Sequence, residues 1–363
     1  MSARKPPTMR DVARLAGVAA MTVSRALRDS ELVSASTRAR VLEAAEQLGY
    51  TVDGQAAALS SRHTGFVAAI VPSLNNANFA DTVRGLTEVL REHNFQLLIG
   101  YTDYSLEEEE RVVELMLRRR PEAIVLTGGS HTERCCALLS NAGLPIVETW
   151  DLPANPLGHV VGFSNEGALD RMTEELFIAG FRQIAFVGSD MMLDPRGLKR
   201  RKGYERGLER LGLHGPRVVS TGPVPVTIAR GATALETILT RWPETDAVLC
   251  VSDIAAFGVM SEALRRGIDV PGDLGIAGFG AFDVAETCHP RMTTIDVGAK
   301  DIGRCAGEIV VAACAQPDGF SRRIVEMPVR PLLRESTRRE SLTPRRETQD
   351  PRLPVPGRER AES

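Results

Sequence analysis

The stretch from Met9 to Arg28, MRDVARLAGVAAMTVSRALR, predicts two short helices joined by a tight turn. Apolar residues recur at helical spacing in both halves, and Gly17 between them supplies the turn. Residues 1–28 hold six cations and one acid, a formal charge of +5 in a chain whose total is −3. A cationic pair of packed helices is typical of the helix-turn-helix, whose second helix enters the major groove of DNA.

The strings DVARLAGV and TVSRALR resemble the opening signature of the LacI/GalR family of bacterial transcription regulators, and VSASTRARVLEAAEQLGY (33–50) is similar to that family's third helix. The resemblance implies base-reading positions at Ala20, Met21 and Arg25, and phosphate contacts for two nearby hydroxyls. An arginine can donate two parallel hydrogen bonds to guanine, whereas short hydroxyls position the protein without reading sequence. The full set of predicted DNA contacts is Thr8, Ala20, Met21, Thr22, Ser24, Arg25, Arg28 and Leu59.

The N-cap of the recognition helix departs from the family pattern, because Ala19 stands where Ser or Thr is usual. A lost N-cap costs about 1 kcal/mol, so we expect this helix to be less ordered without DNA. The alternative to the DNA-binding interpretation is an amphipathic helical hairpin in an unrelated core.

Residues 1–64 are predicted to form the DNA-binding headpiece together with a hinge at about 52–64. In the resembled family the hinge folds into a helix on the operator, and a leucine wedges into the minor groove; Leu59 is the matching residue. The family usually has Pro-Asn-Arg where this chain has Val52, Asp53 and Gly54, which weakens the expected hinge contact with DNA. A flexible linker over 55–61 is the alternative.

From Gly65 onward, short apolar runs alternate with amphipathic segments of helical length. FVAAIVPSL (66–74), for example, is followed by the helical pattern FADTVRGLTEVLREHN and then by the apolar run FQLLIGYT. A second set of such units starts near residue 164. This alternation predicts the α/β class with parallel sheets, and two sets predict two lobes. The plan resembles the periplasmic sugar-binding fold that serves as the effector domain of the same family, here over residues 65–334.

Parallel sheets bind ligands beyond the carboxyl ends of their strands, which in a two-lobed protein places the site in a cleft. The resemblance places Arg200, Ser252 and Gly280 at ligand-contacting positions. The predicted effector-binding residues are Asn76, Asn78, Phe79, Glu148, Arg200, Lys202, Ser252, Asp253 and Gly280, with Asn75, Asp151 and Lys199 beside them. Structural alternatives exist for each kind: the asparagines suit a turn, Asp253 suits a helix cap, and the cationic run 199–202 suits a solvated surface.

The type of ligand is indicated by departures from the family pattern. A neutral sugar is commonly held by Asn and Asp at two positions where this chain has Ser252 and Gly280. Fewer acceptors beside a cationic cluster favour an anion, because Arg and Lys hold carboxylates by charge-assisted hydrogen bonds. The strings AMTVSRALR, VVGFSNEGA, KGYERGL and IAGFGAFDVAETCHPRMTTI resemble the gluconate-utilisation repressors within the family. We therefore expect an allosteric repressor released from its operator by a sugar acid such as gluconate; the alternatives are a neutral sugar and a corepressor ligand.

Other function classes lack their motifs. The string GFGAF (278–282) lacks the third glycine and the acidic partner of a dinucleotide site, and the six histidines share no metal or triad spacing. We expect no catalytic activity, no cofactor and no metal. The six cysteines show no CxxC spacing and are expected as thiols of a reducing compartment. Without an apolar run of membrane-spanning length or a signal-peptide pattern, the expected location is the cytoplasm, which excludes a periplasmic sugar carrier.

The composition of the last residues predicts a disordered tail and gives an expectation for the oligomeric state. Residues 335–363 are rich in Pro, Arg and Glu and contain few bulky apolar residues, so a disordered tail is expected. Nothing in them resembles the leucine heptad of tetrameric relatives, and a homodimer is expected. Two headpieces related by two-fold symmetry would recognise a pseudo-palindromic operator in double-stranded DNA.

Overall fold

The computed structural model describes residues 7–27, 32–50, 64–188, 194–316 and 319–339. Two predicted DNA contacts, Arg28 and Leu59, lie outside these residues, as do Val52, Asp53 and Gly54 of the predicted hinge. The role of the hinge therefore stays a prediction.

Three helices form the N-terminal headpiece: α1 (Met9–Ala16), α2 (Ala20–Leu27) and α3 (Ala35–Leu48). Their packing surface is made of small and β-branched side chains, with Val12, Val23 and Val41 each 0% exposed. Gly17 ends α1 in the left-handed region (φ 65°), where its N–H donates to the Ala13 carbonyl. The predicted helix-turn-helix is confirmed, and the left-handed turn explains why a glycine stands between its helices.

Beyond the headpiece, strands and helices alternate as predicted. The elements up to residue 162 are β1 (Phe66–Val71), α4 (Ala77–Glu92), β2 (Gln96–Tyr101), α5 (Leu106–Leu117), β3 (Ala123–Thr127), α6 (Glu133–Asn141), β4 (Ile146–Thr149) and β5 (His159–Gly162). The following elements are α7 (Asn165–Ile178), β6 (Ile184–Gly188), α8 (Pro195–Arg210), β7 (Val218–Ser220), α9 (Ile228–Arg241), β8 (Ala247–Cys250), α10 (Asp253–Arg265), β9 (Gly275–Ala277), α11 (Asp283–Thr287), β10 (Thr294–Asp296), α12 (Ala299–Ala315), β11 (Ile324–Glu326), β12 (Arg330–Leu332) and a 3-10 turn (Glu335–Thr337).

These elements build two α/β lobes, each around a parallel sheet. The first lobe has six strands in the order β11-β5-β4-β3-β1-β2, and the second has four in the order β7-β6-β8-β9. Strands such as β1 (FVAAIV) and β6 (IAFVG) are apolar and almost wholly buried, because helices cover both faces of a parallel sheet. The α/β class with parallel sheets predicted from the sequence is confirmed.

The chain passes between the lobes three times. It leaves the first lobe after β5, returns from β10 into α12, which packs on α4, and crosses again from β11 to β12. Strand β12 then pairs antiparallel with β10 in a small two-stranded sheet. These crossings join the two lobes, and a cavity lined by residues of both lies between them.

The predicted disordered tail is wrong at its start. Residues 335–337 form a 3-10 turn in which Ser336 is 0% and Thr337 3% exposed. The Ser336 hydroxyl donates to the Ile276 carbonyl (2.6 Å) and accepts from the Thr293 N–H (2.8 Å). The segment is ordered by hydrogen bonds of small polar residues, which a search for bulky apolar residues does not detect.

Within the described part of the chain, no helix combines the length and the apolar character needed to cross a membrane.

Candidate effector cleft and DNA-binding face

The exposed face of α2 carries the residues that were predicted to read bases. Ala20, Met21 and Arg25 are exposed, and the Met21 side chain reaches 65% exposure, whereas Val23 and Ala26 face the core. This division follows from the 3.6-residue period of the helix. Arginine and methionine therefore project from the outer surface of the recognition helix, as contact with a groove requires.

The N-termini of α1 and α2 are capped in different ways. The Ala19 carbonyl accepts from the N–H groups of Thr22 (2.9 Å) and Val23 (3.1 Å). At the start of α1, the Thr8 hydroxyl and N–H both donate to the Asp11 carboxylate (2.6 and 2.9 Å). Thr8, predicted as a DNA contact, thus has a structural role at the helix terminus as well.

A cavity of about 590 Å³ lies between the two lobes at the carboxyl ends of their strands. Six of the predicted residues line it: Asn75, Asn76, Asn78, Phe79, Arg200 and Ser252. Residues that were not predicted also line it, among them Asp103, Tyr104, Trp150, Asp194, Arg196, Thr227 and Phe279. Trp150 and Tyr104 follow β4 and β2, so the rule that selected the asparagines after β1 could have found them.

The wall contributed by the first lobe is aromatic and held in place by hydrogen bonds. Phe79 packs edge-on against Trp150 with ring centroids 5.2 Å apart, and the Trp150 indole N–H donates to the Thr82 hydroxyl (3.1 Å). The Asn76 side chain caps α4 by accepting from the N–H of Asn78 (3.1 Å). A ring face beside amides offers stacking for an aliphatic chain and partners for hydroxyl groups.

The wall contributed by the second lobe is centred on Arg200. Its Nε donates to the Asn165 side-chain oxygen (2.9 Å), a terminal nitrogen donates to the Val251 carbonyl (2.9 Å), and the guanidinium lies 3.7 Å from the centre of the Phe279 ring. Burial lowers the pKa of Arg200 to about 10, so the group stays cationic at neutral pH.

Arg196 lies on the same helix as Arg200, in the first turn of α8. Its guanidinium lies 5.2 Å from the centre of the Phe79 ring, across the cleft on the first lobe. Asp194 caps the helix by accepting from the Gly197 N–H (2.9 Å). Burial raises the pKa of the neighbouring Tyr104, which keeps its phenol neutral and able to donate a hydrogen bond.

The prediction that Glu148 contacts the effector is wrong, because its side chain does not line the cleft. Along β4, Val147 faces the core shared with α4 and α12, whereas Ile146 and Glu148 face the layer of α5 and α6. The buried Glu148 carboxylate accepts from the Leu157 N–H (2.7 Å). The two-residue period of the strand decides this orientation.

Glu148 belongs instead to a buried cluster around His131. One carboxylate oxygen of Glu148 lies 3.5 Å from Nε2 of His131, and Nδ1 of His131 lies 2.5 Å from the Glu109 carboxylate. Burial opposes protonation of this imidazole, but the two glutamates outweigh it and raise the pKa of His131 to about 9. The Cys135 thiol donates to Glu109 (3.8 Å). Glu109, His131 and Cys135 could each offer a ligand atom to a metal ion; here they bond to one another.

Three further predicted residues do not line the cavity. Lys202 is exposed on α8, as expected for a solvated surface. Asp253 is fully buried, and its carboxylate accepts from the Phe282 N–H (2.7 Å) and the Thr294 hydroxyl (2.6 Å). Asp253 therefore positions the loop beside the cleft without facing it, and Ser252 caps α10. Gly280 adjoins the cavity: a Cβ added to it would lie 2.6 Å from the Asn78 side-chain nitrogen.

Comparisons with known proteins place this architecture in a family. The pattern described as bacterial regulatory proteins, lacI family, matches residues 8–53, and that of a periplasmic binding protein-like domain matches residues 173–337. The HTH-type transcriptional regulator GntR of Pseudomonas aeruginosa is 34% identical over 91% of this chain and 96% of its own length. The chain belongs to the lacI family of bacterial regulators.

Another curated relative and two solved structures are also similar to this chain. GntR of Escherichia coli K12 is 32% identical over 85% of this chain and 92% of its own length. The crystal structure of a LacI family regulator from Silicibacter pomeroyi is 35% identical, covers 92% of this chain and 100% of that chain, and superposes with a TM-score of 0.86. The lac repressor dimer bound to operator and an anti-inducer shares the fold at a TM-score of 0.80 and 20% identity, covering 92% and 99% of the two chains. The protein is thus a DNA-binding transcriptional regulator, and its relatives are regulators rather than enzymes.

Proposed function

We propose that this regulator is a repressor that leaves its operator when a sugar acid such as gluconate binds between the lobes. The observation that carries the proposal is the pairing of Arg196 and Arg200 on one wall of the 590 Å³ cavity with amides and aromatic rings on the other. Cationic forks suit a carboxylate, and amides suit a row of hydroxyl groups. The resemblance of four sequence strings to gluconate-utilisation repressors supports the same class of ligand.

Charged groups of both signs line the cavity, so the proposal of an anion rests on the positions of the two arginines and not on the net charge of the lining. Two acids, Asp103 and Asp194, also line it, and the Asp194 carboxylate already accepts the Gly197 N–H at the start of α8. Three asparagines and two hydroxyl residues provide neutral partners for the polyol chain: Asn75, Asn76, Asn78, Thr227 and Ser252.

The proposed mechanism is allosteric. A ligand that touches both walls favours one arrangement of the lobes, because its contacts are complete only there. The lobe arrangement sets how the two headpieces of a dimer meet their half-sites, and operator affinity falls when that spacing is lost. By linkage, operator must weaken effector binding by the same factor.

The dimer is proposed to form along the edge of the first lobe. Strand β2 is the outer strand of the six-stranded sheet, and Leu98, Ile99 and Tyr101 on it are 37%, 43% and 56% exposed. An apolar, exposed sheet edge is a surface that proteins normally cover. A second copy of this chain is the proposed occupant, and analytical ultracentrifugation of Tyr101→Glu against wild type tests it. A monomeric variant is expected, and an unchanged dimer would place the interface elsewhere.

Fluorescence anisotropy of the protein on its own upstream DNA, at one fixed salt concentration, tests the function. Titration with gluconate is expected to release the DNA. If only a neutral sugar releases the DNA, the effector is a neutral sugar and not a sugar acid. If gluconate tightens DNA binding, the ligand acts as a corepressor. Specific binding that no sugar or sugar acid changes would refute the proposed response.

The DNA-reading role of Arg25 is tested with a charge-matched control. Arg25→Gln is expected to lose about 1–3 kcal/mol of discrimination between operator and scrambled DNA, because a bidentate contact to guanine is removed. Arg40→Gln removes the same charge from an exposed position on α3 and should reduce affinity for both DNAs alike. Equal discrimination in the two variants would contradict base reading by Arg25.

A further inference from the structure

Arg196 carries a buried donor that the described residues leave unsatisfied. One terminal nitrogen of its guanidinium is buried and has no hydrogen-bond partner among them. Arg200, four residues later on the same helix, differs: its guanidinium already donates to Asn165 and Val251 and stacks on Phe279. Buried guanidinium nitrogens normally have acceptors, so an unsatisfied one beside a cavity indicates that a ligand supplies the acceptor.

The position of Arg196 suits a ligand that crosses the cleft. It lines the large cavity and also an adjoining one of about 50 Å³, and in both it lies with Tyr104 and Asp194. Its guanidinium comes from the second lobe, whereas the Phe79 ring 5.2 Å away belongs to the first. An anion bound by Arg196 therefore sits where the two lobes face each other.

Three carboxylates of the protein near this position already have partners. Asp151, which lines the small cavity, accepts the Lys199 ammonium group (2.6 Å). Glu109, which lines it as well, is bound to His131 (2.5 Å). Asp194 accepts the Gly197 N–H. An acceptor brought by the ligand can thus bind Arg196 without breaking these interactions.

We propose that Arg196, and not Arg200, is the residue that selects an anionic effector by binding its carboxylate across the lobe interface. This inference rests on the proposed function and deepens it by naming the contact that separates a sugar acid from a sugar. Arg200 is a positioning residue: it holds Asn165 and the Phe279 ring in the wall. The planar fork of Arg196 can donate two parallel hydrogen bonds to a carboxylate, which a neutral polyol end cannot accept with equal strength.

The experiment compares gluconate with glucitol, which has the same polyol chain with a neutral CH₂OH in place of the carboxylate. Calorimetric titration of wild type is expected to give the tighter binding for gluconate. Arg196→Gln should weaken gluconate binding by about tenfold to a hundredfold and leave glucitol nearly unchanged, so that the affinity ratio approaches one. Arg196→Lys, which keeps the charge and loses the fork, should fall between. Arg201→Gln, which removes the same charge from a helix position paired with Glu205, should keep the wild-type ratio.

The outcomes separate the inference from the proposed function. A wild-type preference for gluconate that persists in Arg196→Gln would overturn the inference and leave the sugar-acid effector standing. Equal wild-type affinity for both ligands would overturn both. If wild type binds neither, thermal unfolding with inorganic phosphate decides: stabilisation that is lost in Arg196→Gln supports the anion contact without a sugar acid, and its absence overturns that contact as well.

Discussion

Nζ of Lys199 lies 2.6 Å from Oδ2 of Asp151, and this ion pair joins the second lobe to the first. The two partners differ in environment, since the Asp151 side chain is 3% exposed and that of Lys199 35% exposed. Asp151 also accepts the N–H of Leu152 (2.9 Å). The pair therefore holds α8, which carries both cleft arginines, against the end of β4.

The two halves of this ion pair should contribute unequally to stability. Lys199→Met leaves a buried carboxylate without its cation and is expected to lower the free energy of unfolding by about 1–3 kcal/mol. Asp151→Asn leaves only a partly exposed lysine, whose interaction with water replaces much of the loss, and should cost less than about 1 kcal/mol. Urea unfolding measures both. A larger cost for Asp151→Asn would mean that the carboxylate has a structural role beyond this pair.

Gly280 permits a close approach of the two lobes. Its φ of 122° is unfavourable for other residues, and a Cβ there would lie 2.6 Å from the Asn78 side-chain nitrogen. Gly280→Ala should therefore destabilise the protein by about 1–3 kcal/mol and weaken effector binding, because Asn78 must move. Gly212→Ala is the matched control, since Gly212 also has a positive φ (64°) and a Cβ at that exposed position meets nothing within 4 Å. Effector binding equal to wild type in both variants would show that the cleft tolerates the shift.

Asp253 should make stability depend on pH. Burial raises the pKa of this carboxyl to about 6 from its ordinary 3.8, and the hydrogen bonds from Thr294 and Phe282 and the charge of Arg334 offset this only in part. The folded state thus holds the proton more tightly than the unfolded state does. Its contribution to stability is present below pH 3.8 and is lost as the pH rises to about 6, by roughly 3 kcal/mol.

Asp253→Asn removes this titration and can keep one acceptor for the Phe282 N–H. The unfolding free energies of wild type and variant are measured in urea from pH 4 to pH 7. As the pH rises, wild type should lose stability relative to the variant. A difference that is constant over this range would show that the native pKa is not raised.

A substitution of Ser336 tests whether the folded part of the chain extends to the 3-10 turn. Ser336→Ala leaves the Ile276 carbonyl and the Thr293 N–H without their partner, so the free energy of unfolding should fall by about 1–3 kcal/mol. Ser321→Ala, at an exposed position of the same returning segment, should change it by less than about 0.5 kcal/mol. Equal effects would contradict a structural role for the 3-10 turn.

Local sequence patterns were sufficient to predict the helix-turn-helix and the α/β class. The turn at Gly17 and the apolar period of α1 and α2 depend only on residues within a few positions of each other. The same holds for β1 and α4. The first of the cleft residues, Asn76 to Phe79, were found because a parallel strand always ends at the ligand-binding edge.

The cleft itself depends on residues far apart in the chain. Glu148 lies near the end of β4, yet its carboxylate lies 3.5 Å from His131 behind the sheet, because the alternation of β4 turns it away from the lobe interface. Histidine spacing in the sequence likewise did not indicate that His131 would meet Glu109 and Glu148. Ser336 became structural only because the returning chain places it beside Thr293.

The sequence by itself determined the family, the DNA-binding helices, the two-lobed α/β plan and a cationic helix beside the cleft. These features follow from local periodicity, charge and short motifs, all of which can be read from neighbouring residues. Only the tertiary structure decided that Arg200 is held by the protein while Arg196 keeps a buried, unsatisfied donor. Hydrogen-bond partners from distant segments are set by packing, and two arginines four residues apart look equivalent until those partners are in place.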